Sequence, residues 1–181
     1  MSIKQRIEFK ATDNERGINC AAFDLGTNSG ISVLSRGVIE CQLLECINRK
    51  GRKHKPDDHP GYRYQQFADY LEHFFQHYQL GCVFYEEAGT FRNVTTARVP
   101  YGMRALLLAA ASRAQVSVVG VNVQTLKKYA TGSARADKYE MISYAARRFG
   151  ILESAINHDQ ADSLALLSYG ISTTYGREVL C

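Results

Sequence analysis

No stretch of this 181-residue chain approaches the roughly 20 consecutive apolar residues that a membrane-crossing helix needs, so a soluble protein is expected. Met1 to Gly17 mixes acids with bases and holds no apolar run. It therefore reads as a polar N-terminal tail, and neither as a secretory signal nor as an acid-poor transit peptide. The five cysteines (Cys20, Cys41, Cys46, Cys82 and Cys181) form no C-x-x-C pair and leave one over if bridged. Most lie inside apolar runs, which predicts reduced core thiols in a cytosolic protein. Internal repeats and low-complexity segments are missing as well.

What remains is 45% hydrophobic, enough for one sizeable core, and one domain over residues 18–175 is expected. The 22 lysines and arginines exceed the 18 acids by a modest +4, compatible with a nucleic-acid partner but no proof of one. Arg49, Lys50, Arg52, Lys53 and Lys55 share a short segment without an acid, either a solvated loop or part of a basic face.

Hydrophobic patterning sets out the elements. Ile18 to Leu25 is an apolar run that carries Asp24 near its end and meets the turn-forming Gly26-Thr27-Asn28-Ser29-Gly30. Ile31 to Leu34 and Val38 to Ile47 continue as strands around Arg36-Gly37, giving an antiparallel meander. Tyr62 to Tyr78 places Phe67, Tyr70, Leu71, Phe74, Phe75 and Tyr78 on one helical face. His73 and His77 share that helix, but no glutamate stands between them to make H-E-x-x-H, so zinc is not indicated. Cys82 to Tyr85 is a short strand running into Glu86-Glu87, and a helix is expected to begin near Pro100. Val116 to Val121 is a further strand; Thr125 to Tyr129, Ala136 to Phe149 and Gln160 to Ser172 are helices, with Gly132 as a stop. This order predicts an α/β fold: a mixed five-stranded sheet, three antiparallel strands and then two parallel, flanked by helices on both faces.

Four acids stand where acids are awkward: Asp24 and Glu86 at the ends of apolar strands, Asp159 and Asp162 at the opening of the last helix. Each has an ordinary structural use. Asp159 could be an N-cap, Asp162 a first-turn acid, Asp24 a turn residue and Glu86-Glu87 a solvated strand end. Taken together they suggest more, because carboxylates sharing one site repel unless a cation joins them. An all-oxygen set suits magnesium or manganese better than zinc. Two such ions about 4 Å apart would hold a scissile phosphate, the chemistry of phosphodiester hydrolysis.

The order strand-Asp, strand-Glu, helix Asp-x-x-Asp resembles the RuvC-type Holliday-junction resolvases, particularly the forms carried by bacteriophages, from about Ile18 to Gly170. The matching segments are Phe23-Asp24-Leu25-Gly26, Glu86 and Asp159-Gln160-Ala161-Asp162-Ser163-Leu164-Ala165. The resemblance implies a ribonuclease H-like fold and a homodimer making paired symmetric nicks in four-way DNA junctions with two Mg2+ (or Mn2+) per active site. Asp24, Glu86, Asp159 and Asp162 would be metal ligands. Two family lysines near the DNA phosphates match Lys127, with Lys128 as its competitor, and Lys138. Candidate DNA contacts are Arg49, Lys50, Arg52, Lys53, Lys55, Arg92, Arg98, Arg104, Lys128 and Arg135. With the four ligands set aside as neutralised, 14 acids face 22 bases, a net +8. Where the bacterial pattern has an aromatic three residues after the glutamate this chain has Gly89, leaving Phe91 as the candidate junction wedge. The location implied is cytoplasmic, that of a host cell if phage-encoded.

Three rival readings differ in what they demand. Asp24 to Gly30 also looks like the first phosphate loop of actin-like and sugar-kinase ATPases, which need two such halves; with no second copy here, no nucleotide cofactor is expected. A non-catalytic DNA-binding adaptor of the same fold need not keep all four acids and both lysines. A nuclease for flaps or forks would keep them all.

Overall fold

The computed structural model describes residues 2–10, 17–46, 61–87 and 94–175. Its strands are β1 (Ser2–Lys10), β2 (Cys20–Asp24), β3 (Asn28–Ser35), β4 (Val38–Glu45), β5 (Cys82–Glu87) and β6 (Ser117–Asn122). Its helices are α1 (Tyr62–His77), α2 (Val94–Arg113), α3 (Val123–Thr131), α4 (Lys138–Phe149) and α5 (His158–Tyr175), with one 3-10 turn at Glu153–Ala155. The sheet runs β1-β4-β3-β2-β5-β6. β2, β3 and β4 form the antiparallel meander, and β5 and β6 join it in parallel.

The strand count is six and not five. Residues taken as a polar tail form β1, which pairs antiparallel with β4 from Ser2 opposite Glu45 to Lys10 opposite Val38. Their alternating charges conceal a strand whose partly buried Ile7 packs on the core. Arg6 bonds Glu40, which also accepts the Tyr78 hydroxyl at 2.7 Å, so β1, β4 and the chain just after α1 are joined at one carboxylate.

Two cores lie on opposite faces of the sheet, sorted by the period-two alternation of strand side chains. Cys20 and Ala22 of β2 and Cys82 and Phe84 of β5 face α4 and α5; Ala21, Phe23, Val83 and Tyr85 face α1 and α2. The cysteines among the described residues, Cys20, Cys41, Cys46 and Cys82, are buried thiols outside any disulfide. Burial pushes the Cys41 and Cys46 thiols up to about 11.

Helix α2 begins at Val94, six residues before the expected start, and runs through Pro100. Pro100 has no amide proton to give the preceding turn. A hydroxyl from α1 braces this stretch: Tyr64 donates to the Arg98 carbonyl at 3.0 Å, and its ring fits only because Gly102 has no side chain.

Helix α5 lies so close to the sheet that a Cβ on Gly170 would stand 2.4 Å from the fully buried Phe84 ring. Glycine inside a helix costs about 1 kcal/mol relative to alanine, whereas overpacking a filled core costs roughly 1–3 kcal/mol. Because 2.4 Å is far inside van der Waals contact, the packing loss outweighs the helix gain. Gly170→Ala is therefore expected to destabilise the protein by about 1 kcal/mol or more in urea unfolding, although it improves helix propensity.

Candidate active site

The alternation that builds the two cores also aims the acids. Asp24 continues the Cys20, Ala22 series and Glu86 the Cys82, Phe84 series, so both fall on the α5 face. β2 and β5 are parallel with Phe23 opposite Tyr85, and one step further along the same register sets Asp24 beside Glu86. Glu87 has the opposite parity. It lies 3.7 Å from Arg104 of α2, whose guanidinium sits 5.0 Å over the Tyr85 ring.

Helix α5 brings the second pair. Its cap is Asn157, whose side chain accepts the Gln160 amide at 2.9 Å while the Gln160 side chain accepts the Asn157 amide at 3.2 Å. This reciprocal cap takes the role that Asp159 alone could have filled and leaves that carboxylate free of it. The start of α5 rests directly on β3: a Cβ on Gly30 would stand 1.8 Å from the Asp159 carbonyl oxygen. Gly30 pairs with Asp24, so the contact that only glycine allows also sets Asp159 next to the end of β2. One turn on, the fully buried hydroxyls of Ser32 and Ser163 meet at 2.7 Å and fix the helix in register.

Electrostatics identifies these acids as one group. Burial raises the Asp24 carboxyl well above its ordinary range, with further increments from Glu86, Asp162 and Asp159, opposed by Lys138. Glu86 is pushed up to about 7 by burial and by Asp162, against Lys127. Asp162 rises to about 6 through burial and Asp159, opposed by Lys127, His158 and Lys138. Asp159 is also raised by burial, opposed by His158, whose Nε2 lies 3.2 Å from its Oδ1, and by Lys138. Among the described residues, no three His, Cys, Asp or Glu side chains form a ready-made cation cage. The donors present, four hard oxygen ligands that repel one another, still have the chemistry of a magnesium or manganese site. A bound cation would offset both the burial and the repulsion that raise the pKa values of Asp24, Glu86 and Asp162.

The lysines come from the other edge of the sheet. Asn122 ends β6 and caps α3, accepting the amides of Gln124 at 2.8 Å and Thr125 at 3.4 Å, so the chain passes from strand to helix without a loop. Lys127, one turn in, acts on Glu86 and Asp162 and donates to the Ala136 carbonyl at 2.6 Å. Its competitor Lys128 is exposed. Gly132 closes α3 in the left-handed conformation, φ 82°, and Lys138 opens α4.

The remaining candidates divide. Arg98, Lys128 and Arg135 are exposed, and Arg104 is engaged by Glu87 and Tyr85. Arg49, Lys50, Arg52, Lys53, Lys55, Phe91 and Arg92 lie outside the described residues. Sequence reasoning missed Gly30, the Asn157–Gln160 cap and His158. An N-x-x-Q spacing ahead of the acids was the available signal for the cap.

The strand order and the helices on both faces place the chain in the ribonuclease H-like α/β class. No family model matches it. Among known proteins, the crossover junction endodeoxyribonuclease RuvC of Corynebacterium jeikeium (strain K411) is 30% identical over 141 residues, 77% of this chain and 85% of that protein. Two solved structures of Thermus thermophilus RuvC superpose with TM-scores of 0.67 and 0.65. The first, in complex with Holliday junction substrate, is 20% identical and covers 82% of this chain and 90% of its own. The second is 22% identical and covers 88% and 97%. The yeast mitochondrial Holliday junction resolvase aligns at a TM-score of 0.57 with 14% identity, over 83% of this chain and 76% of its own. The chain belongs to the RuvC family of crossover junction endodeoxyribonucleases, which are hydrolases.

Raised acid pKa values make the metal-free fold sensitive to pH. Glu86 and Asp162 titrate near 4.5 and 3.8 when unfolded and near 7 and 6 when folded, so between these values the folded state binds more protons. Stability therefore falls as pH rises from about 4 to about 7. Magnesium is expected to restore it, raising the melting temperature more at pH 8 than at pH 5, as read by thermal unfolding in EDTA and in magnesium. An equal magnesium effect at both pH values would contradict a carboxylate site.

Proposed function

We propose that this protein is a structure-selective DNA endonuclease that resolves four-way junctions by metal-dependent hydrolysis, with paired symmetric nicks made by a homodimer. The observation that carries this reading is the convergence of four acids: parity and register set Asp24 beside Glu86, and the Gly30 contact adds the start of α5 with Asp159 and Asp162. Membership of the RuvC family supports the junction as substrate.

Asp24, Glu86, Asp159 and Asp162 are the residues that would hold Mg2+, or Mn2+ in its place, two ions per site. When bound, such ions activate a water and stabilise the leaving 3′ oxygen. The chain supplies the rest. Lys138 offers positive charge at the rim, where the phosphate becomes more negative as the bond breaks. Lys127 holds the connection before α4 by its bond to Ala136 and keeps its charge near Glu86 and Asp162. The exposed Arg98, Lys128 and Arg135, with Arg104, Arg92 and the segment from Arg49 to Lys55, would receive DNA phosphates, and Phe91 is the candidate wedge.

A dimer is supported by helix α2, where Tyr101, Ala105, Leu108 and Ala109 expose one mostly apolar stripe at helical spacing. Burying that stripe against its copy would make an isologous pair with two active sites. The reading further takes residues 18–175, with β1 added at the edge of their sheet, as the nuclease domain, a form of the family carried by phage and acting in the host cytoplasm, without a nucleotide cofactor.

The test is cleavage of a synthetic four-way junction beside matched duplex, flap and fork, in magnesium and in EDTA, with both strands mapped. Symmetric paired nicks that need magnesium are expected, and Asp24→Asn should reduce cleavage by at least about a hundredfold while leaving junction binding within a few-fold. Preferential cutting of flaps or forks would change the substrate, and binding without cutting would mark an adaptor.

A further inference from the structure

We infer that Tyr139 is a substrate-contact residue whose ring stacks on an unpaired base next to the scissile phosphate. The inference rests on the nuclease reading above and names a DNA contact that the sequence did not suggest.

Tyr139 is 82% exposed, more than any other large hydrophobic side chain among the described residues, so it serves no core. Its mount is nonetheless rigid. The Asp137 carboxylate accepts the amides of Tyr139 and Glu140, each at 2.9 Å, and the Glu140 carboxylate accepts the Asp137 amide at 2.7 Å. Below that capping box, Lys127 holds the Ala136 carbonyl. The ring is carried on backbone fixed from both sides, the condition under which an exposed aromatic can bind without a large ordering cost.

Its position is set by its neighbour. Lys138 acts on Asp24, Asp159 and Asp162, so this end of α4 borders the acidic group. Successive residues of a helix diverge by about 100°, which turns Tyr139 away from Lys138 onto the adjoining surface. A strand whose phosphate lies over the carboxylates would carry its next nucleotide across that surface.

The surroundings favour a base over a protein partner. In the chain the ring is flanked by charged residues, Arg135, Asp137, Lys138 and Glu140, all of them exposed. Both neighbouring acids are used in the cap, whereas Lys128 and Arg135 are exposed cations able to follow a backbone. Cations for the phosphates and an aromatic face for the base are the means by which single strands are held. Near the branch point of a junction, bases can leave their stack at the least cost.

The test uses junctions carrying 2-aminopurine at successive positions on either side of the cleaved bond, bound to Asp24→Asn protein with and without Tyr139→Ala. Stacking predicts one position where Tyr139→Ala changes the fluorescence and Tyr139→Phe restores it. With Asp24 intact, Tyr139→Ala should lower single-turnover cleavage at sub-saturating protein roughly tenfold, and Tyr139→Phe should remain within about twofold of the parent. Unchanged fluorescence at every position, cleavage equal to the parent in Tyr139→Ala, or Tyr139→Phe failing as fully as Tyr139→Ala would each overturn the proposal. If the parent protein binds junctions without cutting them, the nuclease reading fails, and the fluorescence of bound DNA still decides the stacking.

Discussion

The close approach of α5 to the sheet is the constraint on which the rest of the structure depends. At Gly30 the helix backbone touches the strand backbone, at Ser32 and Ser163 two hydroxyls meet, and at Gly170 the helix lies against Phe84. Small residues on both partners bring the helix nearer than ordinary side chains allow, where interaxial spacing is normally set by what stands between. The result is functional as well as structural. Carboxylates on a helix and carboxylates on strands can share a cation only if the two backbones are this close, and α5 has its full length in which to secure the contact.

That proximity has an electrostatic cost. Four buried or partly buried acids, opposed among the described residues by Lys127, Lys138 and His158, form a locally unfavourable arrangement, as the direction of their shifts records. Burial is the leading cause in each case, so the strain belongs to the site's position between sheet and helix as much as to mutual repulsion. The fold tolerates it because the two cores flanking the sheet are extensive and apolar. Local instability of this kind is common where chemistry is to be done.

Much of this was legible in the residues. The apolar run from Ile18 to Leu25, the β-branched strand before Asn122 and the helical period of Tyr62 to Tyr78 each carried a clear signal, and the elements formed where that signal was clean. The four acids stood out because they interrupt or end apolar runs. What escaped had other causes. β1 is masked by its charges, because an edge strand needs only one apolar side. The local rule that starts a helix near a proline does not hold for α2, which runs through Pro100 with Tyr64 of α1 bonded to the Arg98 carbonyl beside it. Gly30 looked like part of a turn, and its meaning depends on a helix some 130 residues away in the chain. The choice between Glu86 and Glu87, by contrast, was implicit in strand parity, with odd and even positions belonging to different helices.

The polar strand at the sheet's margin has a protective consequence. Without β1, the outermost strand would be β4, whose Ile39, Cys41, Leu43 and Leu44 make it an apolar ribbon with one row of peptide groups unpaired. Such a ribbon is a template for the same strand of another molecule. β1 occupies that row with its own amides and carbonyls and exposes Arg6, Glu8 and Lys10 along the new margin. Aggregation resistance is thus assigned to the first residues of the chain, at the edge of the sheet away from the acids. The central strands, relieved of that duty, can remain as apolar as the site requires.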